Sequence, residues 1–134
     1  MKLNEAYEIF NRIESEIRKL EDRWGNLPDE FEFDYDNPDE KHKHNVALSL
    51  VYKLDEIKST LEWMRKPVRA EGYLQRNSNG RFELDGIELT SGSPIDAWDE
   101  EYEEWITTRI EHHEDYYIYH LREQDPQDTL VRIK

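Results

Sequence analysis

GYLQRNSNGRFELDGIELTSGSPIDAW, residues 72–98, places its apolar residues on a period of two and is broken every few residues by a turn signal. Successive side chains of an extended chain face opposite sides, so GYLQR (72–76), RFEL (81–84), IELT (87–90) and IDAW (95–98) each read as a half-buried strand. Asn-Ser-Asn-Gly at 77–80 and Ser-Gly-Ser-Pro at 91–94 separate them, and Asp85-Gly86 is the two-residue signal of a tight hairpin. The rhythm continues through EWITTRIEH (104–112), YYIYHL (116–121) and TLVRI (129–133), with breaks at His-Glu-Asp 113–115 and Asp-Pro-Gln-Asp 125–128. Many short strands joined by tight turns predict a small antiparallel β-barrel over residues 70–134.

Upstream the period is helical. Leu3, Ala6, Phe10, Ile13, Ile17, Leu20 and Trp24 recur every three or four residues, and Gly25 followed by Pro28 predicts a stop. A second stripe, Ala47, Leu50, Leu54, Ile57, Leu61 and Met64 with Val51 beside it, should end before Pro67, because a proline restricts the residue in front of it. Both stripes have the spacing of a coiled-coil seam, which two antiparallel helices bury against each other or against a second copy. The expected fold is therefore α+β. Residues 1–69 form a helical hairpin with an acidic connection at 25–41, and residues 70–134 form the barrel.

Gly80-Arg81-Phe82, Leu89-Thr90-Ser91-Gly92-Ser93-Pro94, and Trp105-Ile106 with Arg109-Ile110-Glu111 are the most specific pieces of a wider resemblance over residues 70–134. That stretch resembles a family of small bacterial domains catalogued only as a domain of unknown function and common on conjugative elements and prophages. The resemblance implies a barrel and a mobile-element setting, and no mechanism. The strand rhythm around Ile95-Asp96-Ala97-Trp98, Trp105 and Tyr116-Tyr117-Ile118 is also similar to SH3-like barrels, a likeness of fold alone.

The 134 residues carry a formal charge of −14, which disfavours nonspecific attachment to nucleic acid or to an anionic membrane. With no cysteine, disulfides, zinc fingers and thiol catalysis are excluded. The amphipathic, acid-containing start MKLNEAYEIF is unlike a signal peptide, and no apolar run approaches the roughly 20 residues of a membrane span, so a cytoplasmic location is expected.

The acidity is concentrated. Residues 1–24 carry −1, 25–40 carry −7, 41–70 carry +4 and 71–134 carry −10. In DEFEFDYDNPDE (29–40), extended backbone would put Phe31, Phe33 and Tyr35 on one face as a packing scaffold and Glu30, Glu32, Asp34 and Asp36 on the other. Carboxylates on that face stand roughly 6.7 Å apart, about half the charge density of a DNA strand. Asp99, Glu100, Glu101, Glu103 and Glu104 form a second cluster. These nine acids are the candidate surface for a protein partner with a basic face. The bland alternative is a solubilising surface whose charge protects strand edges.

Tyr73, Trp98, Trp105 and Tyr117 are candidates of another kind, a stacking platform for a peptide or nucleic acid. The histidines carry less. His42 and His44 supply only two ligands and point apart on a helix, and His112-His113-Glu114-Asp115 falls where a turn is expected. His120 reads as a packed or hydrogen-bonded residue of an aromatic strand. Lys41, Lys43, Lys53, Lys58, Arg65, Lys66 and Arg69 gather on the second helix and its exit, where they would neutralise neighbouring acids. Ser91-Gly92-Ser93-Pro94 is a turn, not a nucleophile elbow, and no phosphate loop or dinucleotide fingerprint occurs. No catalytic, cofactor or metal residue is expected. The sequence points to a non-enzymatic acidic accessory protein of a mobile element that binds a protein partner, including as a nucleic-acid mimic that inhibits a DNA-processing or defence enzyme. A ligand-binding barrel and a dimeric assembly module through the hairpin are the alternatives.

Overall fold

A computed structural model of the chain describes residues 1–24 and 31–134. The chain divides into two compact units, Met1–Arg65 and Lys66–Lys134. Two helices are followed by antiparallel strands, so the class is α+β.

The first unit holds α1 (Leu3–Trp24) and α2 (Pro38–Arg65). Helix α2 begins well before its apolar stripe, which corrects the far bound of the acidic connection expected at 25–41, whose first residues, 25–30, lie outside the described residues. The Asn37 side-chain oxygen accepts the backbone N–H groups of Asp39 at 3.0 Å and Glu40 at 3.3 Å, and Pro38 fills the first helical position, where no N–H is needed. Asp39 and Glu40 thus belong to the first turn, where the positive end of the helix dipole favours them.

Glu14 faces Arg65, Arg18 faces Glu62 and Glu21 faces Lys58, so each step forward on α1 is a step back on α2. By that register α1 accompanies only the last three turns or so of α2. The early part of α2 is met instead by Phe31 and Phe33, whose rings pack on His44. The two stripes bury less against each other than their spacing implies. Ile17 and Leu61 are buried, whereas Phe10, Ile13, Leu20, Leu50, Ile57 and Met64 stay 41–52% exposed.

The second unit contains β1 (Ala70–Tyr73), β2 (Gln75–Arg76), β3 (Phe82–Leu84), β4 (Ile87–Leu89), β5 (Pro94–Asp99), β6 (Glu104–His113), β7 (Asp115–Ile118) and β8 (Leu130–Ile133). They form a five-stranded sheet in the order β1-β8-β5-β6-β7 and a three-stranded sheet in the order β2-β3-β4. All pairs are antiparallel. The sheets are open, so the closed SH3-like barrel expected from the strand rhythm is not formed among the described residues. Strands of two or three residues offer few ladder bonds, too few here to join the long sheet at its edges.

The predicted strand at 72–76 is interrupted at Leu74, which is buried and separates β1 of one sheet from β2 of the other. Asp85 (φ 49°) and Gly86 (φ 77°) both take left-handed backbone, the conformation a tight β3–β4 hairpin requires. The core gathers Leu74, Phe82, Ile95, Ile110, Ile118 and Val131 with their neighbours from both sheets. The predicted strand at 116–121 stops at Ile118. His120 then adopts φ 68° in a turn and is exposed, so it is not part of the strand that was expected, although its ring lies 4.0 Å from that of Tyr119. Asp-Pro-Gln-Asp forms a short 3-10 turn, Pro126–Asp128, capped by the Asp125 carboxylate, which accepts the Gln127 N–H at 2.9 Å. Among the described residues no helix is long and apolar enough to cross a membrane.

Candidate binding surface

The acid and aromatic stretch behaves as alternation requires only up to Asp34. Phe31 and Phe33 are half-buried and Glu32 and Asp34 exposed. The Phe33 ring stacks on His44 at 4.1 Å, and Phe31 meets Trp24 edge-on at 5.9 Å. At Asp34 the backbone turns. Its carboxylate accepts the Asp36 N–H at 3.0 Å, and its carbonyl accepts the Asn37 N–H at 3.1 Å. Tyr35 keeps a ring contact with Phe33 at 5.6 Å, yet it stands 68% exposed, with the Lys41 ammonium 4.7 Å from its ring. Glu32, Asp34 and Asp36 are exposed, and Glu30 lies outside the described residues.

The second acidic cluster is the tip of the β5–β6 hairpin. Asp99 is turned inward, 9% exposed, and its carboxylate accepts the N–H groups of Glu101 at 2.9 Å and Tyr102 at 3.4 Å. It builds the turn, and Glu103 completes it with φ 52°. Gln124 braces the same turn. Its amide donates to the Trp98 carbonyl at 3.1 Å and to the Thr129 hydroxyl at 3.1 Å, while its oxygen accepts the Glu100 N–H at 3.2 Å. Nothing in the sequence marks this glutamine, since one side chain serving three partners from separate segments leaves no local pattern.

Glu100, Glu101, Glu103 and Glu104 are exposed, and none makes an ion pair among the described residues. From Gly72 onward, within the strands and turns, the basic side chains are engaged elsewhere. Arg76 pairs with Asp115, Arg81 with Glu88, Arg109 with Glu111, Arg132 with Glu71 and Lys134 with Asp96. The sixth, Arg122, lies 4.8 Å from the Tyr117 ring. These pairings hold the Glu88, Glu111 and Asp115 carboxyls below their ordinary range, in each case chiefly through the arginine's hydrogen bond.

Next to the tip lies a row of large side chains. Trp98 and Trp105 sit directly opposite each other on β5 and β6, with their rings 5.4 Å apart and near-perpendicular. Tyr73 is opposite Leu130 on β1 and β8, and the β5–β8 register, continued by one residue, brings Leu130 beside Trp98. Opposed residues share a face, so Tyr73, Leu130, Trp98 and Trp105 cross four strands on the side away from the core, where Ala97 and Val131 point. Tyr73 is 56% exposed, and the Arg132 guanidinium covers Trp105 at 3.9 Å. Tyr117 pairs with Glu111, six residues along β6 from Trp105, and so lies on the same face about 20 Å away. Three of the four aromatic candidates come together.

The remaining candidates resolve into structure. Asp115 is held by Arg76, and the His112 ring packs edge-on against Tyr116 at 4.6 Å. Among the described residues no group of three or more His, Asp or Glu is placed to hold a metal. On α2, Lys58 binds Glu21 at 2.8 Å and Arg65 binds Glu14, so these two neutralise acids within the hairpin.

No curated protein and no solved structure matches the chain. Residues 72–133, which take in the end of β1 and all of β2 through β8, match the family model described as Domain of unknown function (DUF5348). The stretch read as resembling a domain of unknown function is thus similar to one.

Proposed function

We propose that the protein is a non-enzymatic cytoplasmic binding module whose β unit takes a short cationic segment, rich in lysine or arginine, of a protein partner. One observation carries the reading. Four tip carboxylates make no ion pair among the described residues, while the six basic side chains from Arg76 to Lys134 are engaged elsewhere, and the tip adjoins the Tyr73–Leu130–Trp98–Trp105 row. Carboxylates attract the cation, and the electron-rich faces of Trp and Tyr hold it by cation–π contact, an attraction worth about 0.5–2 kcal/mol per ring. Each tip residue is at most three residues along the chain from Trp98 or Trp105, about 10 Å of backbone at most, a span that a few extended peptide residues cover.

The acids are gathered at a hairpin end and not spread in a track, which favours a basic segment over imitation of a nucleic-acid duplex as the route to a partner. In the mobile-element setting that the sequence resemblance implies, the partner would be a basic host or element-encoded protein.

Titration of a fluorescent arginine-rich peptide into the whole protein tests the reading. Each exposed ion pair contributes about 0.2–1 kcal/mol, so changing Glu100, Glu101, Glu103 and Glu104 together to Gln should weaken binding by roughly tenfold to a hundredfold. Binding by the parent should also fall with added salt. Equal affinity of the two proteins, or no binding by the parent at low ionic strength, would overturn it.

A further inference from the structure

The helical unit has its own interaction surface, and we propose that it joins a second copy of this chain to form an antiparallel four-helix bundle. The ion pairs Glu14–Arg65, Arg18–Glu62 and Glu21–Lys58 line one side of the α1–α2 contact. Ile17 and Leu61 are buried on the other. At 100° per residue, Ile13 and Leu20 on α1 and Leu50, Ile57 and Met64 on α2 all turn further away from the ion-paired edge. Because the helices run in opposite directions, these two offsets point to the same side of the pair. Each helix therefore shows half of its stripe to its neighbour and half to one common face.

That face carries two open grooves. One, of about 680 Å³, is lined by Ile9, Ile13, Ile17, Leu20 and Leu54 among others. The second, of about 730 Å³, includes Phe10, Ile57 and Leu61. Two helices alone cannot enclose a core, and an apolar stripe wider than one neighbour can cover is the pattern of a helix with more than one partner.

Charge selects the occupant. The chain as a whole carries −14, yet α1 (Leu3–Trp24) carries −2 and α2 (Pro38–Arg65) carries no net charge, so the helices are the part that two acidic copies can bring together with the least repulsion. The rim of the grooves mixes signs, with Arg12, Glu16 and Lys19 on α1 and Lys53 and Glu56 on α2, so a copy turned by a two-fold axis meets both signs. Six apolar side chains between 41% and 52% exposed, with the stems of the rim charges, form the apolar part of a patch suited to one side of a standard interface, which buries roughly 800 Å².

Light scattering coupled to size exclusion, run on the full chain over a wide concentration range, reads the result. The expected mass is twice the 16.3 kDa of one chain. A variant with Ile13→Glu and Ile57→Glu should keep its helical circular dichroism and raise the dimer dissociation constant at least about tenfold, since two charges would enter an apolar face. If glutamate lowers helicity, the Ile13→Gln and Ile57→Gln pair takes its place. A parent that is monomeric at every concentration overturns the proposal, and so does a folded variant that dimerises as the parent does. The Gln variant at Glu100, Glu101, Glu103 and Glu104 should dimerise unchanged, which separates this surface from the peptide-binding reading.

Discussion

Replacing Phe82 by alanine is expected to destabilise the unit Lys66–Lys134 by about 3–5 kcal/mol, enough to unfold most of a small domain. Phe82 is 1% exposed. It belongs to the short β3 strand of the three-stranded sheet, yet its ring meets Tyr116 of β7 at 6.3 Å, and the Arg76 guanidinium caps it at 4.7 Å. The two sheets share one core, and this ring is among its largest fully buried side chains. Strands as short as β2, β3 and β4 have little hydrogen bonding of their own to fall back on. Phe82→Leu, which keeps most of the volume, should cost less than half as much. Chemical denaturation followed by near-ultraviolet circular dichroism checks both variants. A loss below about 1 kcal/mol for the alanine variant would mean that the three-stranded sheet does not depend on this contact.

Glu14→Gln is expected to destabilise the helical unit by about 2 kcal/mol at neutral pH and to remove a specific part of its acid sensitivity. The Glu14 side chain is 4% exposed, and its two oxygens accept from Arg65 and from Arg18, the latter at 2.9 Å. The Arg65 hydrogen bond, with the smaller help of Arg18, outweighs burial and holds the Glu14 pKa at about 2 against 4.5. Breaking a fully buried pair costs about 3–5 kcal/mol, and the smaller figure here reflects two arginines that are half in solvent.

The folded-state pKa is depressed, so the stabilisation is fully present above pH 4.5 and is lost as the pH falls from about 4.5 toward about 2. The difference in helix stability between parent and variant, measured at 222 nm in denaturant, should therefore shrink over that window. A difference independent of pH would show that packing, not charge, accounts for the loss.

How far the sequence carried the fold depends on how local each signal is. The α1 stripe from Leu3 to Trp24 and the Asp85-Gly86 turn are encoded within a few residues, and the structure places both where their spacing puts them. The start of α2 was also written locally, in Asn37-Pro38-Asp39-Glu40, but the run of acids around it read as a loop. Barrel closure is different in kind. Whether β7 or β1 finds a further partner depends on pairings between distant segments, and a period of two is the same in an open and a closed sheet.

The candidate surface divides in the same way. Exposure of Glu100, Glu101 and Glu103 follows from their place in a turn and that of Glu104 from opening β6 beside it, whereas Asp99 looks like a fifth member of the cluster and is spent on closing it. The Trp98–Trp105 pair could have been read by counting back from a four-residue turn, since Asp99 and Glu104 close the hairpin. That Tyr73 joins them through Leu130 could not, because it requires β8 to lie between β1 and β5.

The most direct test of the cationic-segment reading uses the four tryptophans as reporters, two in each unit. In a nitrogen-15 correlation spectrum of the whole protein, an arginine-rich peptide should shift the indole N–H signals of Trp98 and Trp105 in step with binding and leave those of Trp24 and Trp63 in place. Movement confined to Trp24 and Trp63, or no movement of any indole at a peptide concentration that saturates binding, would contradict the account.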